Sequence, residues 1–180
     1  MRASLAILSA LLLSTAFAAA QQRTTLDIYV TDVEGGNATL FVTPAGESVL
    51  IDTGNLNGAV RDVGRIMDAV HDAGLTQIDH LILTHYHTDH FGGMEELSKR
   101  IPIREFIDHG PNVQPGPNID PVMQRDAELY SKAKHTVVKP GDEISVADVD
   151  CRIIPAGAQT IKTPLCVGGM PTTYCAIFKA

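Results

Sequence analysis

The spacing of apolar residues changes along the chain, and each change predicts a different element. Leu26-Asp27-Ile28-Tyr29-Val30 alternates in the manner of a half-buried strand. A turn at Glu34-Gly35-Gly36-Asn37 leads to a second strand, Ala38 to Val42, and Thr43-Pro44-Ala45-Gly46 turns the chain again. Ser48-Val49-Leu50-Ile51-Asp52 carries a continuous apolar stretch, which predicts a third strand buried on both faces. Three strands joined by short turns imply an antiparallel meander. The period then lengthens. Val60, Val63, Ile66, Met67 and Val70 recur at spacings of three and four, predicting an amphipathic helix that stops at Ala73-Gly74.

Ile78 to Thr84 predicts a buried strand, Met94 to Lys99 a short helix, and Glu105-Phe106-Ile107 another strand. Pro111, Pro115, Pro117 and Pro121 make Gly110 to Pro121 an irregular loop. A helix is predicted from Val122 to Ala133. Short strands follow at Val137-Val138, Glu143 to Val146 and Asp150 to Ile154, around a Pro140-Gly141 turn. This order implies mixed α/β layers.

Composition narrows the class. Hydrophobic residues make up 44% and charged residues 19%, so the chain can bury a core and is not a disordered segment. A formal net charge of −7 argues against a nucleic-acid surface, and the longest basic cluster is Lys99-Arg100 with Arg104 nearby. The first residues have their own logic. Met1-Arg2 is positive, Leu5 to Phe17 is apolar, and Ala18-Ala19-Ala20 precedes polar Gln21-Gln22, the pattern of a secretory signal peptide. Residues 1–20 are expected to be removed, leaving 21–180 as one domain, exported to the periplasm or secreted, with no membrane segment after cleavage. Export permits disulfides, so Cys166 with Cys175 closing a short loop and three unpaired thiols, Cys151 included, both stand as readings.

The chemistry concentrates in Thr84-His85-Tyr86-His87-Thr88-Asp89-His90-Phe91-Gly92-Gly93. Three imidazoles and a carboxylate arrive where a buried strand gives way to a loop, and this donor set suits zinc, with iron or manganese also accepted. Residues two apart at a strand end share a side, so His85 and His87 can bind one ion, while Asp89 and His90 around the turn can face a second. His109, at a strand end before the proline loop, either lines such a site or serves the turn. His71 and His80 are expected in solvent, as is His135 among lysines.

This cluster resembles the signature of the metallo-β-lactamase superfamily, and Leu50-Ile51-Asp52-Thr53-Gly54 is similar to that family's upstream strand and aspartate. Asp32-Val33-Glu34-Gly35-Gly36-Asn37-Ala38-Thr39-Leu40 further resembles the branch related to competence-type DNA-uptake proteins, with Asn37 where that branch usually carries an acidic residue. The likeness covers residues 25–110 best. It implies a four-layer αββα sandwich with one or two metal ions at the sheet edges: His85 and His87 on the first, Asp89 and His90 on the second. Asp52 would orient ligands or water; an ordinary turn-capping carboxylate is the other reading. The resemblance also implies later ligands, a bridging Asp at a Gly-Asp strand end and a His within a His-His-Gly element; neither element follows Gly93, so the chain reads as an N-terminal portion of such a protein.

The activity implied is a metal-dependent hydrolase that turns a metal-activated water, oriented by Asp89, on an ester, amide or phosphoester of a small molecule. A truncated, non-catalytic metal-binding protein is the alternative. A nucleic-acid-processing member is less compatible with the acidic charge and export, and no residue marks a β-lactam pocket.

Overall fold

Alternation along the strands sorts the apolar side chains onto two faces of one central sheet. The computed structural model describes residues 23–112, 116–156, 159–160 and 174–177. Six strands form that sheet in chain order: β1 (Asp27–Val30), β2 (Thr39–Val42), β3 (Ser48–Ile51), β4 (Ile78–Ile82), β5 (Ile103–Asp108) and β6 (Lys134–Val137). β1, β2 and β3 are the expected antiparallel meander. β3 to β6 are parallel, with Ile51 opposite Ile82, Ile82 opposite Ile107 and Ile107 opposite Thr136. Parallel order brings the C-terminal ends of these strands to one edge, where ligand sites of open α/β sheets form.

The helices α1 (Ala59–Asp72), α2 (Thr88–Phe91), α3 (Met94–Arg100) and α4 (Asp120–Tyr130) connect the parallel strands. On one face of the sheet Leu40, Leu50, Leu81 and Phe106 pack with Val63, Ile66 and Val70 of α1, Leu97 of α3 and Val122 of α4. On the other face Val49, Ile51, Ile82 and Ile107 meet Ile144, Val146, Cys151 and Ile153. Those partners belong to a second sheet, β7 (Glu143–Val146), β8 (Val149–Ile153) and β11 (Tyr174–Ile177). A two-stranded ribbon, β9 (Pro155–Ala156) with β10 (Gln159–Thr160), lies between β8 and β11 in the chain. The molecule is thus mixed α/β, with helix, sheet and sheet as three of the layers of an αββα sandwich. Each fully buried Leu or Ile contributes about 1.5–3 kcal/mol, so both cores hold the central sheet in place.

Several boundaries differ from the sequence expectation, each for a physical reason. α4 starts at Asp120 rather than Val122 because Pro121 sits in its first turn, where a fixed φ and a missing N–H cost nothing. β6 runs from Lys134, earlier than Val137-Val138, because pairing with β5 recruits the polar Lys134-His135 end. Thr88–Phe91 closes into one helical turn within the presumed loop. The expected leader, residues 1–20, and the Cys166–Cys175 pairing lie outside the described residues; Cys151 is buried in β8. No helix among the described residues is long and apolar enough to cross a membrane.

His80 is the clearest correction. It is not in solvent but inside β4, only 7% exposed, on the face that meets the second sheet. Its Nδ1 lies 2.9 Å from Glu105 Oε2 and its Nε2 2.9 Å from Glu47 Oε1. Glu47 also accepts from the Ala147 amide in the β7–β8 turn, so this polar rivet ties the two sheets together. Its signal was invisible locally because both carboxylates are distant in sequence, Glu105 on β5 and Glu47 just before β3. Replacing His80 with Ala should cost about 1–3 kcal/mol, since it leaves Glu105 Oε2 without its partner while Lys134 and Thr136 still hold Oε1. A urea denaturation midpoint unchanged from wild type would refute that role.

Candidate metal centre

The chain leaves β4 at Ile82 but stays beside β5, because the Leu83 amide donates to the Ile107 carbonyl at 2.8 Å. The next residues remain extended, so successive side chains point to opposite sides. Tyr86 takes the inward position, 4% exposed, with its ring edge-on to Phe91 at 5.7 Å and its hydroxyl donating to the Gly110 carbonyl at 3.0 Å. Burial above all, and then the neighbouring Asp108 carboxylate, push its phenol above the ordinary tyrosine range. Anchoring Tyr86 leaves His85 and His87 on the other side. The single turn of α2, pinned by buried Phe91, then brings His90 back over them. Ring centroids lie 4.0 Å apart for His85 and His90 and 4.5 Å apart for His85 and His87. Asp89 flanks the group, with Oδ2 3.8 Å from His90 Nε2.

Beneath these rings sits Asp52, fully buried, at the end of β3. Its backbone adopts φ 61°, the left-handed region that costs a non-glycine residue about 1–2 kcal/mol. Its carboxylate accepts from four groups: the Thr84 amide on Oδ1 at 2.8 Å, and the Thr84 hydroxyl (2.8 Å), His90 Nδ1 (2.8 Å) and Asn37 Nδ2 (3.2 Å) on Oδ2. The network assigns the histidine tautomers. A carboxylate only accepts, so the Thr84 hydroxyl gives its proton to Asp52 and must accept from His85 Nδ1, 2.9 Å away. His90 likewise places its Nδ1 proton on Asp52. Neutral His85 and His90 therefore both keep an Nε2 lone pair, the form that binds metal.

The electrostatics differ between the two rings. Burial, and then the neighbouring His90 and His87, hold His85 below the ordinary imidazole range. Burial also opposes charge on His90, but the hydrogen bond and charge of Asp52, with Asp89, outweigh it and raise that imidazole.

The donor types fit a divalent cation of the zinc, iron or manganese kind, and the carboxylate behind His90 is the support such a ligand uses. Among the described residues, no three His, Cys, Asp or Glu side chains already have their donors set around one point; the rings pack edge to face instead. His109 stands slightly apart at the end of β5. Its ring packs on Tyr86 at 5.1 Å, and its Nδ1 is buried without a hydrogen-bond partner. Next to it, buried Asp108 accepts from the Gly110 amide at 2.7 Å and pairs with His135 Nε2 at 2.8 Å, whose exposed ring stacks on Tyr130. His71, at the end of α1, is exposed as expected.

Sequence reading missed the support around these donors. Thr84 was quoted only as part of a motif, yet it bridges Asp52 and His85. Thr53 donates from its amide (2.6 Å) and its hydroxyl (3.2 Å) to the His90 carbonyl, and Asn37 reaches Asp52 from the β1–β2 loop. Only adjacency to His85 and Asp52 hinted at the first two.

Residues 31–157 match the family model described as the metallo-beta-lactamase superfamily. Among solved structures the chain is similar to a flavo di-iron protein variant from Thermotoga maritima, at 23% identity over 64% of this chain and 26% of that one, with a TM-score of 0.47. It is also similar to BJP-1, a subclass B3 metallo-beta-lactamase of Bradyrhizobium japonicum, at 22% identity over 72% and 48%, TM-score 0.46. The native FEZ-1 metallo-beta-lactamase from Legionella gormanii matches at 16% identity over 71% and 49%, TM-score 0.49. The chain spans from 26% to 49% of the length of these structures. The family match runs from the β1–β2 loop through β9 and takes in both the Asp52 strand end and the histidine cluster; the chain belongs to the metallo-beta-lactamase superfamily.

Proposed function

We propose that the chain is a metal-dependent hydrolase that turns a metal-activated water on an ester, amide or phosphoester of a small molecule. The observation that carries this reading is the tautomer-fixing network, in which Asp52 and Thr84 hold His90 and His85 with Nε2 lone pairs beside His87 and Asp89. A structural histidine patch has no need of a fully buried carboxylate to set its tautomer. His85, His87, Asp89 and His90 would hold one or two ions, zinc first by donor type, with iron or manganese compatible with the same set.

When bound, a divalent ion supplies Lewis acidity and lowers the pKa of a bound water to about 7. The rest falls to the protein. Asp89 would hold and orient the attacking water toward the acyl or phosphoryl centre. Asp52 keeps His90 from turning away, and Thr84 does the same for His85. His109, just past the end of β5, packs on Tyr86 and would support the site through that ring. The likeness of Asp32 to Leu40 supports placing the chain near the competence-related branch, while the net charge of −7 weighs against a nucleic-acid substrate. The leader-like residues 1–20 support export.

Equilibrium dialysis against zinc, iron and manganese, with a panel of ester, phosphodiester and β-lactam substrates, tests the reading. One or two ions should bind per chain, and His85→Ala or Asp89→Ala should lower metal content and abolish turnover. Activity retained in either variant rules out the assignment, and stoichiometric metal without turnover by wild type makes the chain a binder. Asp52→Ala touches no ion directly, yet it should weaken metal binding about 10–100-fold by releasing His90. Unaltered affinity in chelator competition would remove Asp52 from the centre.

A further inference from the structure

The loop between β1 and β2 lies against the candidate metal centre at two points. At Gly36 the contact is backbone on backbone: a Cβ built there would fall 1.7 Å from the Asp89 carbonyl oxygen and 2.8 Å from its carbonyl carbon. Real side chains never approach so closely, and a helical carbonyl is not a flexible group that can swing aside. Any residue but glycine at 36 must therefore break this contact, moving the loop and the turn that carries Asp89 and His90 apart. At Asn37 the contact is a directed amide. Its Nδ2 donates to the Ile51 carbonyl and to Asp52 Oδ2, both at 3.2 Å, while its Oδ1 accepts from the Thr39 hydroxyl at 3.2 Å. Both groups facing Nδ2 can only accept, so the orientation of the amide is determined by its surroundings. The Asn37 carbonyl also accepts from the Gly54 amide at 3.0 Å, tying the loop to the residues just past Asp52.

The outer side of the same loop is fastened to α1. Arg61 Nη1 lies 2.6 Å from Glu34 Oε2, and Arg65 Nη1 lies 2.9 Å from Asp32 Oδ2 and 2.7 Å from the Asp32 carbonyl. The loop is thus held from behind by a helix and presses with its other side on the two residues that flank His90.

We propose that Asp32 to Asn37 is a positioning strap for the metal centre, in which Gly36 sets the backbone of Asp89 and Asn37 sets the carboxylate of Asp52. The inference rests on the metal reading above, and it names two positioning residues that touch no donor atom of an ion.

Three variants of the full chain test it: Gly36→Ala, Asn37→Ala, and Gly46→Ala as a control. Gly46 lies in the distant β2–β3 turn at φ +83°, with nothing within 4 Å of a built Cβ, so its substitution strains the backbone without touching the centre. Zinc affinity by chelator competition is the first readout. The second, on metal-free protein, is the NMR resonances of the Asp89 and His90 amides and of the His90 Nδ1 proton on Asp52. Gly36→Ala and Asn37→Ala should weaken zinc binding about tenfold or more and shift those resonances. Gly46→Ala should lower thermal stability and leave both readouts where they were. Wild-type zinc affinity in Asn37→Ala and in any folded Gly36→Ala protein overturns the strap. A wild-type chain that binds no ion overturns the metal reading alone. The metal-free spectra then decide, and unmoved Asp89 and His90 resonances in both variants overturn the strap as well.

Discussion

One buried carboxylate organises this end of the molecule. Asp52 is fully excluded from solvent, and a charge in that position costs several kcal/mol unless hydrogen bonds replace its water. Its four donors come from Asn37 in the β1–β2 loop, from Thr84 just past β4 and from His90 of α2, each 15 or more positions from Asp52 in the chain. Burying Asp52 is favourable only when all three are in place. The same requirement explains why a non-glycine residue is held at φ 61°: the left-handed turn is what swings the carboxylate back under the histidines.

The central sheet divides the work along its strands. Its middle is packed from both faces, with Leu40, Leu50, Leu81 and Ile107 fully buried, and resists deformation as close-packed interiors do. Its C-terminal edge, where the parallel strands end, carries the partly exposed side chains that can meet a ligand. Polar rivets sit where the cores stop. Glu47, His80 and Glu105 bridge the two sheets, while Asp108 with His135 steadies the end of β5 beside the centre. These groups are satisfied by neighbours distant in sequence, which is the condition for burying them at all.

Tyr86 shows how the core reaches into the site. It lies between two candidate ligands, and its inward ring is what commits His85 and His87 to the opposite side. Its hydroxyl meets the Gly110 carbonyl at the entrance to the proline-rich loop, so the histidine segment is tied to the end of β5. His109 packs on that same ring with its Nδ1 buried and without a hydrogen-bond partner.

Much of this was legible in the amino-acid order because it depends on near neighbours. The period of two in Leu26–Val30, the period near 3.6 in α1, and the crowding of three imidazoles and a carboxylate between His85 and His90 are all local patterns, and they determined the meander, the helix and the chemistry of the donor set. Tertiary structure decided the remainder. That His80 is buried rather than solvated, that His90 presents Nε2, and that Gly36 and Asn37 brace the site all follow from groups 14 to 53 positions distant along the chain. Local spacing carries no information about such partners. Which nitrogen of a histidine holds the proton, and which glycine has no room for a side chain, is set by the atom that folding brings opposite it.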